Sequence, residues 1–339
     1  MINIIVDAMG GDNNVPEINL IGSLQALQED KEIKIFLVGP KDVILKTLQK
    51  TKKYSLKVVE RLEIIDVEQT IDMDEQPSKA LRTKRDSTIG VGIKMLKDGD
   101  GEAFVSAGNS GAIAAFALTQ IGTIKGIDRP AISTILPTLK GKCIMLDAGA
   151  NVDCKPKQIL DFAYMGDAYC RVVLGNDKPR VGLLSIGHEE GKGNSLTNEA
   201  YELLKNSKLN FIGNIEGKDI PTGDVDVIVC DGFVGNIVLK FGEGVVSVLL
   251  KLIKDSLKKH PLTFVALPFV WNAIKDLKKQ FDFTEYGGAQ LLGLEKVCLI
   301  CHGRSNSKAI KNAIKTAKQL VEKNINVMIT NYFNGNGAK

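Results

Sequence analysis

Short apolar runs that stop at Gly, Asn, Asp or Ser recur along the chain. Ile2–Val6 leads into Asp7-Ala8-Met9-Gly10-Gly11-Asp12, and Ala103–Val105 into Ser106-Ala107-Gly108-Asn109-Ser110-Gly111. Cys143–Leu146 leads into Asp147-Ala148-Gly149-Ala150-Asn151, and Val181–Ile186 into Gly187. Val225–Cys230 precedes Asp231-Gly232, and Val297–Cys301 precedes His302-Gly303-Arg304-Ser305-Asn306. Runs rich in Val, Ile and Leu and bounded by turn residues predict strands buried on both faces. Between them the period becomes helical: Pro16 marks a helix start, and Ile18, Leu20, Ile21, Leu24 and Leu27 follow at helical spacing. Ile33–Val38, closed by Gly39-Pro40, predicts the next strand, residues 41–50 a helix, and Leu62–Ile65 a third strand. This alternation predicts parallel strands with right-handed crossovers.

Further along, 77–97 reads as one long helix with Lys79, Arg82, Lys84 and Arg85 in its first half. Helices are also expected at 109–122, 156–174, 195–206 and 235–259. The stretch 305–323 predicts a Lys-rich amphipathic helix with Ala309, Ile310, Ala313, Ile314, Ala317 and Leu320 on its apolar side. The fold expected is α/β, a three-layer α/β/α arrangement around a mainly parallel sheet. No internal repeat and no Pro/Ser linker divides the chain. Residues 1–332 are therefore expected to form a single catalytic unit of two intertwined α/β lobes, and 333–339 a disordered tail. Glycine-rich strand ends that lead into helices expose backbone N–H groups, which predicts one anion site, phosphate-sized, at the carboxyl edge of the sheet.

One segment departs from the alternation. Residues 259–280 concentrate Phe264, Val265, Leu267, Phe269, Val270 and Trp271, flanked by Lys251, Lys254, Lys258, Lys259, Lys275, Lys278 and Lys279. Pro268 predicts a kinked pair of helices there, a protruding amphipathic tip. Apolar and aromatic residues rimmed by lysines suit shallow insertion into an anionic membrane face. A dimer interface or a helix folded onto the core would use the same pattern.

Composition narrows the class. The 339 residues are 44% hydrophobic and 25% charged, as expected of a packed α/β protein. A net charge of +4 is too small an excess to imply nucleic acid. The chain opens directly on a strand and no apolar run approaches the roughly 20 residues of a bilayer span, so a cytoplasmic protein is expected. Of the six cysteines, Cys298-Leu299-Ile300-Cys301-His302 has the spacing of a haem attachment site, yet it also reads as the end of a strand. Core cysteines are the expected reading.

Three loops carry candidate chemistry. In Ser106–Ala112, small side chains leave a helix N-terminus open, and Asn109 and Ser110 can hydrogen-bond an anion; the same residues would serve a tight strand–helix turn. The loop has neither Walker nor Gly-x-Gly-x-x-Gly spacing. In Ile186–Asn194, Lys192 sits between two glycines, where it can neutralise a phosphate dianion or remain a solvated lysine. In Asp231–Asn236, Asn236 can donate to a developing oxyanion or cap the following helix.

Taken in order, these motifs resemble the phosphate acyltransferase family of bacterial phospholipid synthesis. The resemblance rests on Asp7–Asp12, Pro77-Ser78-Lys79-Ala80-Leu81-Arg82, Ser106–Ala112, Asp147–Asn151, Ile186–Asn194, Asn214-Ile215-Glu216-Gly217, Asp231–Asn236, Tyr286-Gly287-Gly288-Ala289 and His302–Asn306, and spans residues 2 to about 325. It implies a fold akin to phosphotransacetylases and the isocitrate/isopropylmalate dehydrogenases. It also implies a reaction in which a long-chain acyl group moves from acyl carrier protein to inorganic phosphate, giving acyl phosphate for phosphatidic acid synthesis.

Phosphate is then the nucleophile, so no Gly-x-Ser-x-Gly elbow is needed, and none is present. The resemblance implies that Lys192 and Asn236 are catalytic, contributed by different subunits of a homodimer. Lys192 would balance phosphate charge and Asn236 would steady the transition state. Ser106, Gly108, Asn109, Ser110 and Gly111 would bind phosphate, Asp7, Asp12 and Asn151 would shape the pocket, and His302 would line it or support the following loop. Ser110 stands where a threonine is more usual, and His188 where the family varies; neither changes the assignment.

Neither a metal ion nor an organic cofactor is expected. Acyl carrier protein is acidic, and two basic patches could receive it: Lys79, Arg82, Lys84 and Arg85, or the lysines at 308, 311, 315 and 318. The product, a water-labile amphiphile, would pass to a membrane glycerol-phosphate acyltransferase, which favours peripheral association with an anionic membrane surface. The rival readings are a phosphotransacetylase-like enzyme using acyl-coenzyme A, a dehydrogenase on the same fold, and a non-catalytic membrane-associated sensor.

Overall fold

The computed structural model describes residues 1–12, 15–51, 54–259 and 287–333. Its described strands form one 11-stranded sheet in the order β3-β2-β1-β4-β11-β10-β5-β6-β9-β7-β8. The strands are β1 (Ile2–Asp7), β2 (Ile33–Gly39), β3 (Leu62–Asp66), β4 (Ala103–Ser106), β5 (Ala131–Thr138) and β6 (Gly141–Leu146). They continue with β7 (Val181–Leu184), β8 (Phe211–Ile215), β9 (Val227–Val229), β10 (Ala289–Leu292) and β11 (Val297–Ile300). Helices cover both faces: α1 (Glu17–Glu29), α2 (Lys41–Lys50), α3 (Leu56–Val59), α4 (Pro77–Thr83), α5 (Thr88–Asp98) and α6 (Ser110–Gln120) in the first half. In the second half lie α7 (Pro156–Leu174), α8 (Ser195–Lys205) and α9 (Gly232–Lys259), with further helices at Ser307–Glu322 and Ile325–Phe333.

The apolar runs occupy the centre as expected of strands covered on both sides. β4, β6, β7, β9 and β11 are buried along most or all of their length, and Phe104, Phe116, Phe162 and Tyr169 are fully buried between sheet and helices. Each such side chain contributes about 1.5–3 kcal/mol of apolar burial. Cys298 and Cys301 lie in that interior, as core residues. The Ser307–Glu322 helix buries the six apolar residues read from its spacing, against α1 and β4.

Three differences from the sequence reading matter for the site. First, 77–97 is two helices, because the Ser87 side chain accepts a hydrogen bond from the Gly90 N–H and starts a new one. Lys84 meanwhile reaches back to the Thr70 carbonyl and Glu75. Second, the sheet reverses. β5 and β6 form an antiparallel hairpin, pairing Thr138 with Gly141, so β6, β9, β7 and β8 run opposite to β1, β4 and β11. The strand ends therefore open on two edges rather than one.

Third, the Gly232–Ser256 portion of α9 is long and apolar enough to cross a membrane by length and composition, although lysine and glutamate interrupt its apolar run in the sequence. Almost all of it stands clear of the body: Phe233, Ile237, Phe241, Val245, Leu249 and Ile253 are exposed at successive i,i+4 positions, a continuous apolar ridge. Apart from Lys259, which ends α9, the tip at 259–280 with Phe264, Val265, Leu267, Phe269, Val270 and Trp271 lies outside the described residues, as does the tail at 334–339, while Phe333 closes the last described helix.

Candidate active site

The first group of candidate residues lies where β1, β4 and β11 end side by side. Asp7 is buried, and its Oδ2 accepts from Ser106 Oγ at 2.7 Å while its Oδ1 accepts from the Met9 N–H at 3.0 Å. Ser106 Oγ in turn accepts from the Gly108 N–H at 3.0 Å. Burial raises the Asp7 carboxyl from its ordinary value, and the Ser106 hydroxyl opposes that shift. The two loops touch backbone to backbone: a Cβ on Gly10 would stand 2.5 Å from the Gly108 nitrogen, so this position admits glycine alone. Asp7 and Ser106 are therefore the internal frame of the loop, and neither presents its side chain outward.

Asn109 is also committed to the frame. Its Oδ1 caps α6 by accepting from the Ala112 N–H at 2.9 Å, and its Nδ2 donates to the carbonyls of Asp72, Met73 and Glu75. The amide read from the sequence as an anion donor is thus engaged within the protein. What the loop offers outward is the exposed Ser110, with its hydroxyl, and the first N–H groups of α6, which have no acceptor within the helix. Substituting Asn109 with alanine is expected to lower stability by about 1–2 kcal/mol. A melting curve reads the loss.

Asp12 and His302 complete this edge. The Asp12 N–H donates to the Gly303 carbonyl at 2.8 Å, the Cys301 N–H donates to the Ser106 carbonyl at 2.8 Å, and the Arg304 N–H donates to His302 Nδ1 at 3.0 Å. Asp12 and His302 are both exposed at the rim.

The second group lies at the ends of β6, β9 and β7. Asn151 donates through Nδ2 to Asp147 Oδ2 at 2.9 Å and to the Pro130 carbonyl at 2.8 Å, so it too is a framework residue. Asn236, one turn into α9, is exposed, and among the described residues its amide has no hydrogen-bond partner.

Lys192 is exposed on a loop held from both sides. Ser185 Oγ donates to the Lys192 carbonyl at 2.9 Å, and the Asn214 amide donates to the Glu189 carbonyl at 3.0 Å. His188 Nε2 stands 2.6 Å from Asp219 Oδ2, with Nδ1 3.4 Å from Glu216, and Glu190 pairs with Lys205. Among the described residues, no carboxylate pairs with the Lys192 ammonium. His188 therefore fastens the loop that carries Lys192, a role the sequence did not reveal because Glu216 and Asp219 are distant along the chain. A cavity of about 250 Å³ opens beside His188, Asn214 and Asp219 and includes neither Lys192 nor Asn236.

The two groups are well separated within one chain. β4 and β9 are five places apart in the sheet, roughly 24 Å at the usual spacing of about 4.8 Å per strand. Their carboxyl ends also face opposite edges. In place of the single carboxyl edge expected from the sequence there are two, and the β5–β6 hairpin is the cause.

Of the two basic patches, the one on the Ser307–Glu322 helix is largely neutralised. Lys311 and Lys315 pair with Glu29, and Lys318 with Asp30, Glu32 and Glu322. On and after α4, Lys84 is taken by Glu75, whereas Lys79, Arg82 and Arg85 are exposed and form no ion pair among the described residues. α4 packs on α6, beside the Ser110 end.

Comparison with known proteins follows the same lines. A family described as "Fatty acid synthesis protein" matches residues 2–328. A phosphate acyltransferase of Endomicrobium trichonymphae is 50% identical over 336 residues, covering 98% of each chain. One from Thermoanaerobacterium thermosaccharolyticum is 49% identical over 324 residues, covering 96% of this chain and 94% of that protein. Among solved structures, the EutD phosphotransacetylase from Staphylococcus aureus aligns over 94% of both chains with a TM-score of 0.63 at 17% identity, a likeness of fold.

Proposed function

The chain belongs to the phosphate acyltransferase family, and from that premise we propose that it transfers a long-chain acyl group from acyl carrier protein to inorganic phosphate. A phosphate oxygen attacks the thioester carbonyl, the C–O bond forms, the C–S bond breaks, and acyl phosphate and the carrier's thiol leave. The observation that carries this reading is the pairing of an unpartnered Lys192 and Asn236 with an absence of activated protein nucleophiles among the described residues. Burial pushes the thiols of Cys143, Cys298 and Cys301 up to about 12 and that of Cys154 up to about 11, so none supplies a thiolate near neutral pH. Ser106 Oγ donates to a buried carboxylate and has no imidazole to take its proton. Such a site orients a nucleophile supplied by the substrate and stabilises the oxyanion.

Two copies of the chain make the site in this reading. The sheet holds Ser110 and Lys192 on opposite edges, and the ridge from Phe233 to Ile253, which begins beside Asn236, is an apolar surface suited to a second copy. Beyond it, the tip around Trp271 is proposed to rest on an anionic membrane. Trp271→Glu should reduce co-sedimentation with phosphatidylglycerol vesicles, and unchanged binding would remove that role.

The carrier protein is proposed to dock beside α4, where Lys79, Arg82 and Arg85 lie next to the phosphate loop. Lys79→Glu with Arg82→Glu should raise the KM for palmitoyl-carrier several-fold and leave kcat unchanged. Steady-state assays with palmitoyl-carrier and palmitoyl-coenzyme A side by side test the donor. Product from the carrier thioester alone, or at far higher kcat/KM, supports the reading. Equal use of coenzyme A would favour a phosphotransacetylase-like donor.

A further inference from the structure

We propose that Asp147 is a positioning residue that fixes the loop on which the Asn236 side chain rests; the inference depends on the reading of Asn236 as the oxyanion donor. Asp147 is fully buried at the end of β6. Its Oδ1 accepts from the N–H groups of Ile132 at 2.9 Å, Gly149 at 3.3 Å and Ala150 at 3.1 Å. Its Oδ2 accepts from the Asn151 N–H at 2.6 Å and from Asn151 Nδ2 at 2.9 Å. Every one of these five contacts is a donor, and no lysine or arginine among the described residues pairs with the carboxylate. A carboxylate satisfied in this way acts as an anchor for a backbone loop.

The loop it anchors is the floor beneath Asn236. The Gly232 N–H donates to the Asn151 carbonyl at 2.7 Å, and the Asp147 N–H donates to the Cys230 carbonyl at 3.0 Å, tying the start of α9 to the same turn. At Gly149, where φ is +128°, an added Cβ would come within 3.4 Å of Asn236 Cβ and 3.5 Å of its Oδ1. The Asn236 amide thus lies directly over Gly149, whose position is set by Asp147. If Oδ1 or Oδ2 became an amide nitrogen, a donor would face donors and the turn would have to open. A displacement of about 1 Å in a group that meets the transition state costs about 100-fold in rate.

The test is a double-mutant cycle in the full-length protein, with acyl phosphate formation as readout. Asp147→Asn is expected to lower kcat about 100-fold while the KM values for phosphate and acyl donor stay near wild type. In an Asn236→Ala background it should have almost no further effect, because the residue it positions is gone. A folded Asp147→Asn protein with wild-type kcat overturns the proposal, as does an equal loss in both backgrounds, which would mark a general structural role. Should Asp147→Asn fail to accumulate as folded protein, Gly149→Ala takes its place. It keeps the carboxylate, strains the turn beneath the amide at φ +128°, and should lower kcat in the wild-type background only; wild-type kcat there overturns the proposal equally. Full activity in Asn236→Ala alone would remove the reading of Asn236 itself, a result seen separately from the other arms.

Discussion

Lys192→Ala is expected to lower kcat on the order of 10³-fold and to raise the KM for phosphate, with fold and melting temperature unchanged. The ammonium stands on an exposed loop with no carboxylate partner among the described residues, so its removal breaks no ion pair and leaves no buried charge. Its loop keeps the Ser185, Asn214 and His188 fastenings, none of which uses the Lys192 side chain. The loss therefore falls on function. A phosphate dianion carries its charge in the ground state as well as the transition state, which is why both constants move. Steady-state kinetics across a phosphate series reads the split. Because the Ser110 loop and Lys192 lie on opposite edges of one sheet, a second result is expected when Lys192→Ala protein is refolded together with an inactive Ser110 variant. Mixed dimers should regain part of the activity. Wild-type kcat in Lys192→Ala would end the assignment, and no recovery in the mixture would return the site to a single chain.

Asn236→Ala is expected to reduce kcat by about 10²–10³ and leave both KM values nearly unchanged, the pattern of a contact made only in the transition state. The amide has no partner among the described residues to be orphaned, and the residue sits past the first turn of α9, where it caps nothing. The sequence left capping open as an alternative for Asn236. The Val234 N–H instead donates to Asp231 Oδ1, so Asp231 serves the N-terminus of the helix. A rise in KM with unchanged kcat would move Asn236 from the chemistry to ground-state binding.

Much of the fold was readable from local pattern. Ile2–Asp7, Lys41–Lys50 and Pro156–Leu174 follow their apolar spacing almost residue for residue. The reversal of the sheet was not. Ala131–Thr138 carries Pro137 and several hydroxyl residues, which argue against a central strand, and without that strand the run into Asp147 looks parallel to the others. A tight β5–β6 turn then decides which edge half of the site faces, and no periodicity reports it.

The site divides similarly. Lys192, between glycines, and Asn236, after a strand end, stood out locally, but a solvated lysine and a helix cap stayed open until the ordered motifs resembled the family. The engagement of Asn109 with Asp72, Met73 and Glu75, and of Asn151 with Asp147 and Pro130, depends on loops brought together only by folding. Asn109 read as an anion donor, and its amide is instead engaged within the protein; Asn151 read as shaping the pocket, and its amide ties Asp147 to Pro130. Asp147 stood in the sequence only as an Asp at a strand end within one of the motifs of the resemblance, with nothing to show what it anchors.

In the proposed reaction phosphate, and no group of the protein, attacks the thioester. This is tested most directly by mixing stoichiometric protein with palmitoyl-carrier, first without and then with phosphate, and recording intact mass and free carrier thiol. An unmodified protein and no thiol release are expected until phosphate is added, then one acyl phosphate per thiol released. A palmitoylated protein, or thiol released before phosphate arrives, would contradict it.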